Sequence, residues 1–357
     1  MSSIRTILRD VPTAGLGPCY AHEHIVIQRS YTTEKHPEFL LDDLGLIGTE
    51  LDAFYASGGR AMVDSMPCGG GRSARKLAEL SKKSKVHIVC PTGLHLQKYY
   101  PQGHWSERAK ADAIAKIFIE EIEHGIDGND TCGPMWDSTG LRAGVIKVAS
   151  GLNSLSDFEK KIFEAAAIAH HATGSPILTH TEQGTAAFEQ IRTFRSMDVP
   201  PECLVLSHTD RLPDLAYHRE LLACGVYLEY DSAFRWKSGS ANPTRDLIVS
   251  LCDEGFASQI LVGMDAARST YWRSYGGCPG LSFLLETFFP ELIKSGFPPE
   301  YMDRILVQNP ANAYGRFEAS TADSARNSIQ AGMKPDDLTS KVHANESHAV
   351  EGSSQWA

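Results

Sequence analysis

Eight short apolar runs recur along this 357-residue chain, each bounded by turn-forming residues and followed by a helix-period segment or by room for one. They cover residues 20–28, 60–66, 86–93, 143–150, 176–181, 203–209, 225–232 and 260–267. A run that is apolar throughout, instead of alternating, reads as a strand buried on both faces, the habit of parallel sheets. Helical periodicity marks 73–82, 106–123, 156–170, 184–196, 213–224, 243–254 and 281–294. Ser106, Ser156 and Pro213 stand at the starts of three of these. Eight strand–helix units predict an α/β fold, a (β/α)8 TIM barrel whose site lies at the C-terminal ends of the strands. Such barrels need about 250 residues. The expectation is therefore a barrel over 1–318, with insertions near 97–106, 125–141, 233–243 and 268–281. The Ser-, Ala-, Asp- and Asn-rich remainder, 319–357, reads as a tail, partly disordered or packed on the surface or a partner subunit.

Composition narrows the partners. Acidic residues exceed basic ones, 44 against 34, for a net charge of −10, and no dense basic run occurs. That argues against nucleic acid and anionic membrane, which demand clustered cations. No apolar stretch reaches the length of about 18 residues that a membrane helix needs, and residues 1–10 lack a signal-peptide core. The eight cysteines are widely spaced, with no Cys-x-x-Cys pair, which predicts free thiols and a cytoplasmic protein.

The chemistry gathers at the strand ends. The first run holds His22, Glu23 and His24. Side chains alternate along a strand, so the two imidazoles face together and Glu23 faces away. His180, His208 and Asp265 each stand where an apolar run stops, on the face where barrel active sites form. Several His and one Asp converging there point to a metal site. Lys147 lies inside the run AGVIKVAS. Burial costs an ammonium its hydration and favours the neutral, nucleophilic amine. That amine can form a Schiff base or add carbon dioxide to become a metal-bridging carbamate. The surrounding ligand-type residues favour the carbamate.

The motifs AHEH, VIKVA, LTHTEQG, LSHTDR and GMD, in this order over residues 10–318, resemble the phosphotriesterase family of the amidohydrolase superfamily. The resemblance implies a binuclear metal-dependent hydrolase. His22, His24 and Asp265 would hold the buried ion, and His180 and His208 the more exposed one. Carboxylated Lys147 and a hydroxide would bridge them. Zinc is the expected metal, with manganese, iron or cobalt as alternatives. Asp265 would carry the proton from the hydroxide to the leaving group. A lactone, carboxylic ester or amide is the implied small-molecule substrate. Organophosphate triesters are an alternative, and Schiff-base aldolase chemistry at Lys147 a more remote one. A homodimer is also expected.

Substrate contacts are expected from the loops. Arg268, Tyr271 and Arg273 in MDAARSTYWRSYGGCPGL are placed to meet an anionic group. Arg235 and Lys237 resemble the basic pair that holds phosphate in sugar-phosphate lactonases. Where lactonases of the family often carry Tyr in a Thr-Gly-x-Tyr motif, this chain has Thr92-Gly93-Leu94-His95, so His95 is expected to reach the substrate. Tyr99, Tyr100, His104 and Trp105 are expected to form a lid or pack the loop. Glu182 and Asp210, close after two of the histidines, are expected to orient ring nitrogens.

Overall fold

A feature absent from the strand count opens the chain: β1 (Ser3–Arg5) and β2 (Asp10–Pro12) pair antiparallel as a small hairpin. The computed structural model describes residues 3–130, 136–236 and 241–317. The expected tail, 319–357, lies outside the described residues, as do Lys237 and Cys132. Every apolar run overlaps a strand shorter than itself, the first of these strands beginning one residue ahead of its run. They are β3 (Cys19–Glu23), β4 (Ala61–Asp64), β5 (His87–Val89), β6 (Pro91–Gly93), β7 (Val145–Ser150), β8 (Ile177–Thr181), β9 (Leu204–Ser207), β10 (Tyr227–Tyr230) and β11 (Ile260–Val262). The third run is interrupted at Cys90, so it contributes both β5 and β6. Parallel pairing runs β3-β4-β5 and β6-β7-β8-β9-β10-β11. The ring closes where Asp265 N donates to His22 O at 3.1 Å. The fold is the (β/α)8 barrel.

Helices cover the outside. Ser156 caps Asp157–Thr173 in a capping box with Glu159, and Gly174, at φ +69°, ends it. Ser106 does not begin a long helix. His104 caps the short turn Trp105–Arg108, and Ala111–Glu123 starts afresh after Lys110. Asp214, not Pro213, caps Leu215–Ala223. The segment 281–294 is a π-turn, Leu284–Phe288, followed by Phe289–Lys294, because Pro290 has no N–H for a regular helical bond. The helix Leu44–Ala56, capped by Asp43, covers the first strand–helix unit and was not foreseen. Among the described residues no helix is long and apolar enough to cross a membrane.

Two apolar layers result. Cys19, Ala61, Val63, Val89, Val145, Leu178, Val205 and Leu261 fill the barrel interior, and the hairpin's Ile4 and Val11 plug its lower end. Above that layer the interior turns polar. A bulge makes the change on β3, where Tyr20 pairs with Met62 but Glu23 with Asp64, three steps against two. The extra residue reverses the alternation. Ala21 therefore packs in the apolar layer while His22 and His24 line the pocket above it.

Candidate metal centre and substrate pocket

One cavity at the C-terminal ends of the strands is lined by His22, His24, Lys147, His180, His208 and Asp265, the six residues expected to bind metal. Strand ends position them. His208 follows β9 directly and Asp265 lies three residues past β11, both at left-handed φ, +66° and +45°. Non-glycine residues adopt that conformation at a cost, and such strain collects at functional sites. Ring centroids of His22 and His208, and of His180 and His208, are 4.6 Å apart. His24 Nε2 lies 3.1 Å and His22 Nε2 3.7 Å from Asp265 Oδ1.

Three of the rings have one nitrogen committed to the protein. His22 Nδ1 meets Ser207 Oγ at 2.8 Å, with Glu229 Oε2 at 3.6 Å. His208 Nδ1 donates to Asp231 Oδ2. His180 Nε2 donates to Glu182 Oε2 at 3.2 Å. A carboxylate can only accept, so in His180 and His208 the committed nitrogen carries the proton and the opposite nitrogen is left as a bare donor for a cation. Burial holds His22 and His208 well below the usual imidazole range, so both rings are neutral. His22, His208, Glu229 and Asp231 also form a compact ligand-type set. It lies on the hydrogen-bonded side of these same rings.

Lys147 is fully enclosed on β7, and its Nζ has no hydrogen-bond partner among the described residues. Burial pushes its ammonium down to about 7, against the pull of Asp265 and Glu229. Burial pushes the Asp265 carboxyl up, but Arg235, His24 and Arg211 outweigh it and hold the group well below the carboxylate range. Its Oδ2 accepts from Arg211 Nη2 at 2.7 Å and Arg235 Nη2 at 2.9 Å. Imidazole nitrogens, one carboxylate and an orphaned buried amine fit a divalent-metal centre.

Several substrate and support expectations are redrawn. Arg235 was expected at a substrate anion. It does line the cavity, and its Nη2 is bonded to Asp265 Oδ2 and to the Met264 and Asp265 carbonyls. Arg273 points away from the cavity and pairs with Glu286 at 3.2 Å. Asp210 does not touch His208. Its carboxylate accepts from Ser232 N and Thr244 Oγ1, and Asp231 holds the histidine. Arg268, Tyr271 and His95 do line the cavity, as do Tyr99 and Tyr100. His104 packs the loop, stacked on Tyr100 at 4.6 Å. Arg268 lies over the Phe39 ring at 5.3 Å and has no carboxylate partner among the described residues.

Asp231, Glu229 and Arg211 are contributors that sequence reasoning passed over. Asp231 ends an apolar run as Asp265 does, and Glu229 interrupts one as Lys147 does. The same two signals therefore mark them. Glu23 faces away from the histidines as expected, and its carboxylate accepts from Met264 N and Ala266 N, fixing the backbone on either side of Asp265.

All these residues fall within 2–314, the part of the chain matched by the sequence model of the phosphotriesterase family. A phospho-furanose lactonase of Mycoplasmopsis agalactiae is 31% identical over 344 residues, covering 94% of this chain and 98% of that protein. The solved structure of an amidohydrolase from Mycoplasma synoviae has a TM-score of 0.87 at 29% identity, over 92% of this chain and 97% of that one. A lactonase from Listeria monocytogenes has a TM-score of 0.81 at 30% identity, over 88% of this chain and 100% of that one.

Proposed function

The chain belongs to the phosphotriesterase family and is a metal-dependent hydrolase; from that premise we propose that it opens a lactone bearing an anionic group, phosphate first among the candidates. One observation carries this reading. The cavity that holds the imidazoles, Asp265 and Lys147 also holds Arg268, a cation without a carboxylate partner among the described residues.

His22, His24 and Asp265 would hold one divalent ion, and His180 and His208 a second. Lys147, as the carbamate formed with carbon dioxide, would stand between them. Zinc suits this set of imidazole and carboxylate donors. Such ions, when bound, supply Lewis acidity toward a carbonyl oxygen and acidify water enough for attack near neutral pH. The rest falls to the chain's own groups. Arg211 and Arg235 hold Asp265 Oδ2, so Oδ1, facing the ligand cluster, takes the proton of the attacking water and returns it to the leaving oxygen. Arg268, over the Phe39 ring, orients the substrate by its anion. Ile27, Phe39 and Met66 supply apolar wall around the reacting bond.

Metal analysis together with a panel of anionic lactones, neutral lactones, esters, amides and phosphotriesters tests the reading. About two ions per chain and the highest kcat/KM on an anionic lactone are expected. Loss of one charged hydrogen bond, about 1.5–3 kcal/mol, predicts that Arg268→Ala lowers that value ten- to hundredfold and spares neutral lactones. A metal content near zero in active protein refutes the centre. Equal losses on charged and neutral lactones remove the anion from the proposal.

A further inference from the structure

His95 is held more firmly than a loop residue needs to be. It follows β6 by two positions, and its backbone N donates to Tyr100 Oη at 2.8 Å. That hydroxyl in turn donates to Cys68 O at 3.1 Å. The His95 ring is edge-on to Tyr99 at 4.6 Å and to His180 at 4.9 Å. Leu96 N donates to His95 Nδ1 at 2.8 Å. A nitrogen that accepts carries no proton, so the neutral ring is protonated at Nε2. The half-buried ring lines the cavity, and Nε2, on the far side of the ring from the bonded Nδ1, has no hydrogen-bond partner among the described residues. The result is a pre-oriented donor that cannot also accept.

We propose that His95 determines specificity: Nε2–H donates to a hydroxyl oxygen on the lactone ring, so that a hydroxylated, sugar-derived lactone is selected over its deoxy counterpart. This rests on the lactonase reading above. The reacting carbonyl and leaving oxygen belong beside Asp265, and the anion beside Arg268, which leaves the remaining substrate edge for His95. Much of the wall elsewhere is apolar, with Ile27, Met66, Pro67 and Ala267. A substrate with only carbon at the His95 position would strip water from Nε2–H and return nothing, and such an unpaired donor is what rejects an analogue.

The test compares the metal-loaded full chain with His95→Phe and His95→Gln on two phosphorylated γ-lactones, one with ring hydroxyls and one without. The readout is the ratio of kcat/KM values, with metal content and calorimetric affinity for the ring-opened hydroxy acid measured alongside. A neutral hydrogen bond predicts a ratio of about five- to tenfold in the wild type. His95→Phe should bring it near one and weaken hydroxy-acid binding by the same factor. His95→Gln, which keeps an N–H donor, should retain part of it. An unchanged ratio in His95→Phe at full metal content overturns the assignment. Loss of metal in His95→Phe also overturns it, by making His95 a support for His180. A wild type that opens neither lactone overturns the lactonase reading itself.

Discussion

Lys147 shows what a single residue can announce. An amine in an all-apolar strand is either neutralised or used, and here it lines a cavity with several imidazoles while its Nζ has no hydrogen-bond partner among the described residues. If it bridges two ions as a carbamate, Lys147→Ala should lose both metal and activity, and added short carboxylates should restore part of each. Lys147→Met with full metal content and unchanged rate would exclude the bridge. Arg235 shows the opposite case. Its sequence position matched a phosphate contact, and in the cavity its side chain also bonds a carboxylate, Asp265. No local pattern states which of two acceptors a long side chain will reach.

At the scale of elements, strand spacing at Lys147 depends on β6. Gly93 has φ +114°, and a Cβ there would lie 1.8 Å from Lys147 O. Neither the conformation nor the contact can be relieved without moving β6 away from β7. Gly93→Ala should therefore destabilise the chain by about 2 kcal/mol or more, from backbone strain and overpacking together. Lactone turnover should fall with it, since Lys147 and His95 stand on either side. Urea denaturation measures the first effect, and a midpoint within error of wild type would show that the strands yield freely. The bulge on β3 also acts at this scale. It reconciles an apolar Ala21 with an inward His22 on one short strand, which the period-2 pattern alone cannot do.

Across the whole molecule, acid stability depends on groups far from the pocket. His170, near the end of the helix Asp157–Thr173, has its Nδ1 on Ser175 O at 2.8 Å and packs against Phe317. Burial pushes its ring down to about 4. The unfolded chain takes up that proton near pH 6.5. Stability from this residue is therefore full above pH 6.5 and is lost as the pH falls toward 4, by up to about 3 kcal/mol. His170→Asn should flatten that part of the stability curve in thermal melts at stepped pH. An unaltered slope would mean that the ring protonates without cost.

The strand–helix alternation, the six ligand-type residues and their common end of the barrel were legible in the chain, because a doubly buried parallel strand permits little but apolar residues. Any His, Lys or Asp within or ending such a run stands out, and the barrel's geometry carries them all to one face. The N-terminal hairpin was not legible, since Ile4 and Val11 are single apolar residues whose burial exists only once the barrel end is there to be plugged. Nor were the hydrogen-bond assignments. Which nitrogen of each histidine is free, whether Asp231 or Asp210 holds His208, and whether Arg235 or Arg268 remains available are questions of distances between residues far apart in sequence. Buried polar groups must find partners wherever the fold puts them, and only the tertiary structure decides which partner lies within reach.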